Sequence, residues 1–273
     1  MKPWIMFTKH LEGWDLPRII DGLKRGGVQG ADLCVRPGYP VNPENAKTAL
    51  PEAAKRFADE GLCIPLITTP GDFTDAGMDY AQPLFEACAE AGVKFVKLGY
   101  WYMEEGGYWA TIDRCRTRLE GFAKLAEKTG VKPVVHNHSG KTMGLNSSSV
   151  MNIMKGFDPA LVGVFTDVGH LSIVGEPYEM ALDIVKDYIC AVAFKDLVKQ
   201  KFMQGNDAVW RIDVWPLGMG FGDFPLVMKL LKQMNFDGPI SFHCEYSRMP
   251  AESIIHQLAI DTKYIGDIVA ELE

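Results

Sequence analysis

The run LAEKTGVKPVVH, residues 125–136, decides the fold. Its first residues suit the end of an amphipathic helix, and Gly130 fits the left-handed position just past a helix C-terminus. VKPVVH is then a short apolar run of the kind buried in a parallel sheet. The same order returns as LKRGGVQGADLCV (23–35), FADEGLCIPLIT (57–68), CAEAGVKFVKLG (88–99) and LKQMNFDGPISFH (231–243). LVGVFTD (161–167) and ICAVAFKD (189–196) add two strands, and WIMFTK (4–9) opens the set. Strand starts near 4, 30, 62, 94, 132, 161, 189 and 239 are about 30 residues apart except in the last interval, the length of a βα unit. Eight such units predict an α/β fold, a (β/α)8 barrel forming a single domain over 1–273. An open doubly wound sheet is the rival, and no GxGxxG follows an early strand.

The long last interval holds 197–222, which carries Trp210, Arg211, Trp215 and the glycine-rich PLGMGFGD. It reads as an active-site loop, a lid over the C-terminal mouth where such barrels keep their chemistry. Lys plus Arg number 28 against 35 Asp plus Glu, a net charge of −7, which argues against a nucleic-acid binder working by phosphate neutralisation. No apolar run approaches a membrane span, MKPWIMFTKHLEGWD has no signal-peptide core, and six scattered cysteines without a CxxC pair read as free thiols. A cytoplasmic enzyme is expected, with no membrane partner.

Side chains two apart on a strand share a side, so the strand ends can be searched for chemistry. VVHNHSG puts His136 and His138 together, VFTDVGH ends on Asp167 with His170 three residues on, AVAFKD ends with Lys195 and Asp196, and ISFHCEY carries His243 and Glu245. Each alone is an ordinary polar residue; together, on four successive strand ends, they read as a site. Imidazole and carboxylate suit a first-row divalent ion (Mn, Co, Zn or Fe), which acts as a Lewis acid on a carbonyl while Glu245 or His138 moves a proton. A metal-free acid/base site of His, Lys and Glu is the alternative. The first half of the chain offers Lys9, His10, Arg36 and Lys97 as substrate-binding cations. Arg36 suits a carboxylate, a phosphate or paired hydroxyls, unless Asp32 pairs with it. Trp101, among the aromatics after strand four, suits a sugar face or helix packing equally well.

VVHNHSG, FTDVGH, FKD and PLGMGFGDFPLVMKLLKQMNFDGPISFHCEY resemble the xylose isomerase-like TIM-barrel superfamily of sugar phosphate isomerases and epimerases. FTKHL and DLCVRPG resemble one uncharacterised branch of it. The resemblance spans the chain and implies a barrel acting on a small-molecule sugar. It also implies one divalent ion held by Glu, Asp, His and Glu on strands five to eight, the two Glu serving as acid and base. Here those positions fall on His136, Asp167, Ala193 and His243, with Glu245 one step further out. His170 matches a substrate-contacting His, and Lys195 the Lys of a KD motif. A rearranged metal site of His136, Asp167 and His243 is therefore expected, with Glu245, His138, Lys195 and His170 as the catalytic group.

These readings lead to a sugar isomerase or epimerase that deprotonates next to a carbonyl of a ketose or keto-sugar. A lyase or hydratase acting on 3-keto-glycosides begins with the same step. A DNA-repair nuclease, which shares the superfamily, would need more carboxylates and a basic groove. A non-catalytic sugar-binding barrel would explain Ala193 but not the retention of so many polar groups at the barrel mouth. Many relatives self-associate, so a homo-oligomer stays open.

Overall fold

A computed structural model describes residues 3–272; Met1, Lys2 and Glu273, which the expected 1–273 domain includes, lie outside the described residues. Eight parallel strands close into a barrel. In chain order they are β1 (Trp4–Phe7), β2 (Gly30–Cys34), β3 (Cys63–Thr68), β4 (Phe95–Lys97), β5 (Lys132–His136), β6 (Gly163–Asp167), β7 (Ile189–Phe194) and, after a hairpin, β10 (Ile240–Phe242). Sequence neighbours pair around the ring, and β10 closes it against β1 and β7.

Helices α1 (Leu16–Arg25), α2 (Ala46–Asp59), α3 (Ala81–Glu90), α4 (Gly107–Thr129), α5 (Ser147–Met154), α6 (Val168–Val174), α7 (Tyr178–Val185), α8 (Phe224–Gln233) and α9 (Ala251–Leu272) make the outer layer. The quoted glycine signal is present in the backbone: Gly27, Gly61, Gly92 and Gly130 all have φ between 72° and 76°. The fifth copy solves the turn differently. There Asn235 takes the left-handed position (φ 53°), while Gly238 is needed because a side chain would strike the Cys190 carbonyl.

Most of the apolar core lies between barrel and helices. A smaller cluster, Ile5, Leu66, Val134, Phe165, Ala191 and Ala193, fills the barrel interior and forms the floor on which the polar residues stand. All six cysteines are free, and five are buried. Among the described residues no helix is long and apolar enough to cross a membrane.

Two expectations change. The opening strand stops at Phe7, and a 3₁₀ turn over Thr8–Leu11 follows, so Lys9 and His10 lie in that turn and not on the strand. The interval 197–222 is not an irregular loop but mostly a hairpin, β8 (Asp196–Gln204) against β9 (Asp207–Trp215), joined by the two residues Gly205-Asn206. Strand alternation carries it out from the body, leaving Phe202, Met203, Trp210 and Ile212 exposed. None of its residues lines the cavity at the barrel mouth. Its base is tied down by Asp196, which accepts from the backbone nitrogens of Leu197, Gly218, Gly220 and Gly222.

Candidate active site

His136 ends β5, Asp167 ends β6 and His243 follows β10, all above the ring of Phe165, whose centroid lies 4.9 Å from that of His136 and 5.5 Å from that of His243. One donor atom from each of the three lies within 4.8 Å of the others. Asp167 is held by its peptide: its N–H donates to Asn137 Oδ1 (2.7 Å), and Asn137 Nδ2 donates back to its carbonyl (3.1 Å). Its Oδ1 caps α6 by accepting from the His170 N–H at 3.0 Å. Oδ2 is thereby aimed inward, 3.4 Å from His136 Nε2 and 3.7 Å from His243 Nδ1.

Asp167 Oδ2 and both His136 nitrogens are buried without a hydrogen-bond partner. Buried polar atoms are ordinarily paired, and an acidic oxygen facing neutral imidazole nitrogens is the donor chemistry of a zinc-like ion. Burial holds His136 in its neutral, metal-binding form, pushed down to about 3. The three residues therefore fit a divalent ion. The strand-seven position, where the resemblance implies a histidine ligand, falls on Ala193, which pairs with Asp167 in the β6–β7 register and brings only a methyl group. Behind His243 stands Asp32, fully buried, with Oδ2 3.5 Å from His243 Nε2. Its oxygens also accept from Thr68 Oγ1 (2.6 Å) and Ser241 Oγ (3.2 Å), so it is placed to orient the His243 ring. Among the described residues Arg36 forms no salt bridge with it, against the pairing considered from sequence.

Lys195 organises the other flank. Its ammonium donates to Glu245 Oε2 (2.8 Å) and His170 Nε2 (3.0 Å) and lies 3.3 Å from Asp167 Oδ2. Burial would strip its charge, but Asp167 and Glu245 outweigh that and raise its pKa. Because an ammonium only donates, His170 must accept at Nε2 and carry its proton on Nδ1, which faces Ser139 Oγ at 2.8 Å. Glu245 is bound a second time, by Lys9 Nζ at 2.7 Å. Burial pushes its carboxyl up, but Lys195, then His243 and Lys9, hold it well below the usual carboxylate range. His138 is different. Its Nδ1 faces the Ser139 carbonyl at 2.8 Å and must carry the proton there, leaving Nε2 as a lone pair on a cavity-lining ring. Burial and then Lys195 lower its pKa and keep it neutral.

A cavity of about 140 Å³ opens above these groups, lined by Lys9, Arg36, Lys97, His136, His138, Lys195, His243 and Glu245 among others. Asp167 and His170 lie beneath it, buried. Two expected residues do not line it. His10, half-buried in the 3₁₀ turn, feels the charges of Glu245 and Lys195 without lining the cavity, and Trp101 packs into the core with its indole N–H on the Thr74 carbonyl at 3.0 Å. The aromatic at the cavity is Tyr100, whose ring centroid is 4.7 Å from that of His138.

A closed parallel barrel with imidazoles, carboxylates and lysines at its C-terminal mouth defines the class of the fold, with the polar cluster at the end where such barrels keep their chemistry. The family model for the xylose isomerase-like TIM barrel matches residues 20–260, and the chain belongs to that family. It is similar to an inosose dehydratase of Lacticaseibacillus casei, 22% identical over 265 residues, covering 89% of this chain and 86% of that protein. Among solved structures it resembles an L-ribulose 3-epimerase (TM-score 0.76, 15% identity, 99% of this chain and 95% of that one). It also resembles the IOLI protein with a bound zinc atom (TM-score 0.74, 19% identity, 99% of each chain).

Proposed function

We propose that this protein removes a proton from the carbon next to the carbonyl of a small polyhydroxylated ketone, as an isomerase, epimerase or dehydratase. The observation that carries the reading is His138: a neutral imidazole whose Nδ1 is tied to the Ser139 carbonyl, which leaves the Nε2 lone pair on a ring that lines the cavity. A divalent ion held by His136, Asp167 and His243 would supply Lewis acidity toward a substrate oxygen. Around it the chain's own residues divide the work. His138 takes the proton. Lys195, charged and fixed by Glu245 and His170, presents positive potential to the oxygen on which charge develops. Asn137 and Asp32 position Asp167 and His243.

Epimerisation by two opposed carboxylates finds little support, because the positions of the two glutamates hold His136 and His243, and Glu245 is bound by two lysines. A base on one side without an opposed carboxylate suits elimination of water, where the carbanion expels a hydroxyl instead of being reprotonated on its other face. This favours the dehydratase reading, and the similarity to an inosose dehydratase runs the same way. The test is NMR in D2O with metal-loaded protein and a panel of ketohexoses, 3-keto-glycosides and inososes. Metal-dependent deuterium uptake or loss of water from one of them is expected; no exchange with any of them would overturn the reading.

A further inference from the structure

The half of the barrel mouth formed by β2–β4 holds two basic side chains that make no ion pair among the described residues; Asp32 and Glu245 act on Lys97 only at a distance. Lys97 ends β4 with its side chain in the cavity, only 2% exposed, and its Nζ has no hydrogen-bond partner. Its one close neighbour of note is the ring of Tyr100, 3.6 Å below. Arg36 follows β2 and also lines the cavity. Its Nε donates to the Thr69 carbonyl at 3.1 Å, which fixes the guanidinium, and among the described residues its two terminal nitrogens have no partner. The nearby carboxylate, Asp32, is used up by Thr68 Oγ1 and Ser241 Oγ and faces His243. Across the cavity the opposite arrangement holds: Lys195 and Lys9 both close on Glu245.

We propose that Arg36 and Lys97 form a subsite for an anionic group of the substrate, a carboxylate or a phosphate carried by the polyhydroxylated ketone. The proposal rests on the function proposed above and names its substrate class. A buried cation without a partner is costly, and an oxyanion between the two side chains removes that cost. The guanidinium's free edge offers two parallel donors, matching two oxygens of either group, while the lysine supplies a point charge from the side. Burial, and then the nearness of Arg36, push the Lys97 amine toward its neutral form in the empty cavity, as expected where the counter-charge arrives with the ligand. The location also suits the chemistry. The subsite lies on the β2–β4 side and His136, Asp167 and His243 on the β5–β10 side, so one small molecule would reach both.

The test is calorimetric titration at low salt with three probes that differ at one end: glucitol, gluconate and glucitol 6-phosphate. At least one anion should bind about tenfold or more tighter than glucitol, in keeping with one charge-assisted pair. Which anion does so separates carboxylate from phosphate. Arg36→Gln and Lys97→Met should each bring the ratio near unity, and His136→Ala should leave it, since that change removes a metal ligand and not the subsite. Equal binding of all three probes overturns the proposal. So does a preference that survives both substitutions, or one lost in His136→Ala alone, which would assign the anion to the metal. If Lys97→Met does not fold by circular dichroism, Arg36→Gln decides by itself. Deuterium exchange on neutral ketones without anion preference removes the subsite and keeps the enolising function; anion preference without exchange on any ketone does the reverse.

Discussion

Lys97 and Lys195 stand on opposite sides of one cavity, both almost wholly buried and both on barrel strands or their ends. Lys195 has carboxylates on two sides and an imidazole on a third, and its charge is stabilised. Lys97 has an aromatic ring, an arginine and no acceptor, and its charge is opposed. The difference is one of completeness. Around Lys195 the mouth is a paired electrostatic network that fixes Glu245 and His170, whereas Arg36 and Lys97 find no acidic partner within the protein's described residues.

The largest effect expected from this contrast is on stability. Lys195→Met leaves Asp167 and Glu245 buried beside each other without their shared cation, and should cost about 3–5 kcal/mol in metal-free protein. Lys97→Met removes a buried amine that has no acceptor and should change stability by less than about 1 kcal/mol, in either direction. Denaturant melts of the two variants side by side check this, and equal losses would break the comparison.

Next in size is the proton transfer. His138→Ala should lower turnover on the order of a hundredfold with little change in KM, read from deuterium exchange on the substrate found. An unchanged rate would pass the role of base to another group.

Asp32→Asn should then weaken metal binding by about 10- to 100-fold while the protein stays folded, whereas His136→Ala or Asp167→Ala should lose the ion outright. Elemental mass spectrometry after dialysis against a graded chelator distinguishes the two grades of loss.

The smallest effect, per group and per pH unit, is in pH. Burial lowers the pKa of His136, His138 and His170, the first to about 3, so between that value and about 6.5 the unfolded chain takes up protons that the folded one refuses. Their contribution is complete above about pH 6.5 and is lost as the pH falls, by up to about 1.4 kcal/mol per pH unit for each imidazole. Melting of metal-free protein should therefore weaken from near pH 6.5 downward. His136→Phe should flatten that slope by one imidazole's share, and an unchanged slope would mean His136 is not held neutral.

How much of this could be read in advance depended on how local each cause was. The eight strands were legible because a strand buried on both faces must be a short apolar run, and VVH, VFTD and AVAF can be little else. The cluster of His136, His138, Asp167, Lys195, His243 and Glu245 was legible because side chains two apart share a side and each strand contributes at its C-terminal end. The hairpin had a signal too: Gly205-Asn206 is a two-residue turn between KQKFMQ and DAVWRID, but the aromatic residues and the glycines beyond them suggested a lid. Asp32 looked like one acid in an apolar strand, and nothing nearby in sequence names His243, 211 positions away, as its partner.

The sequence by itself determined the barrel, its order, and the set of imidazoles, carboxylates and lysines at its mouth. These follow from periodicity and composition, which act over a few residues at a time. Tertiary structure alone decided which of two adjacent aromatics faces the cavity, that Lys9 lines it and His10 does not, and that Lys195 is satisfied while Lys97 is not. Those outcomes depend on turns at strand ends and on neighbours brought together from different strands. Charge pairing is a property of distances in space, and the distances exist only once the barrel has closed.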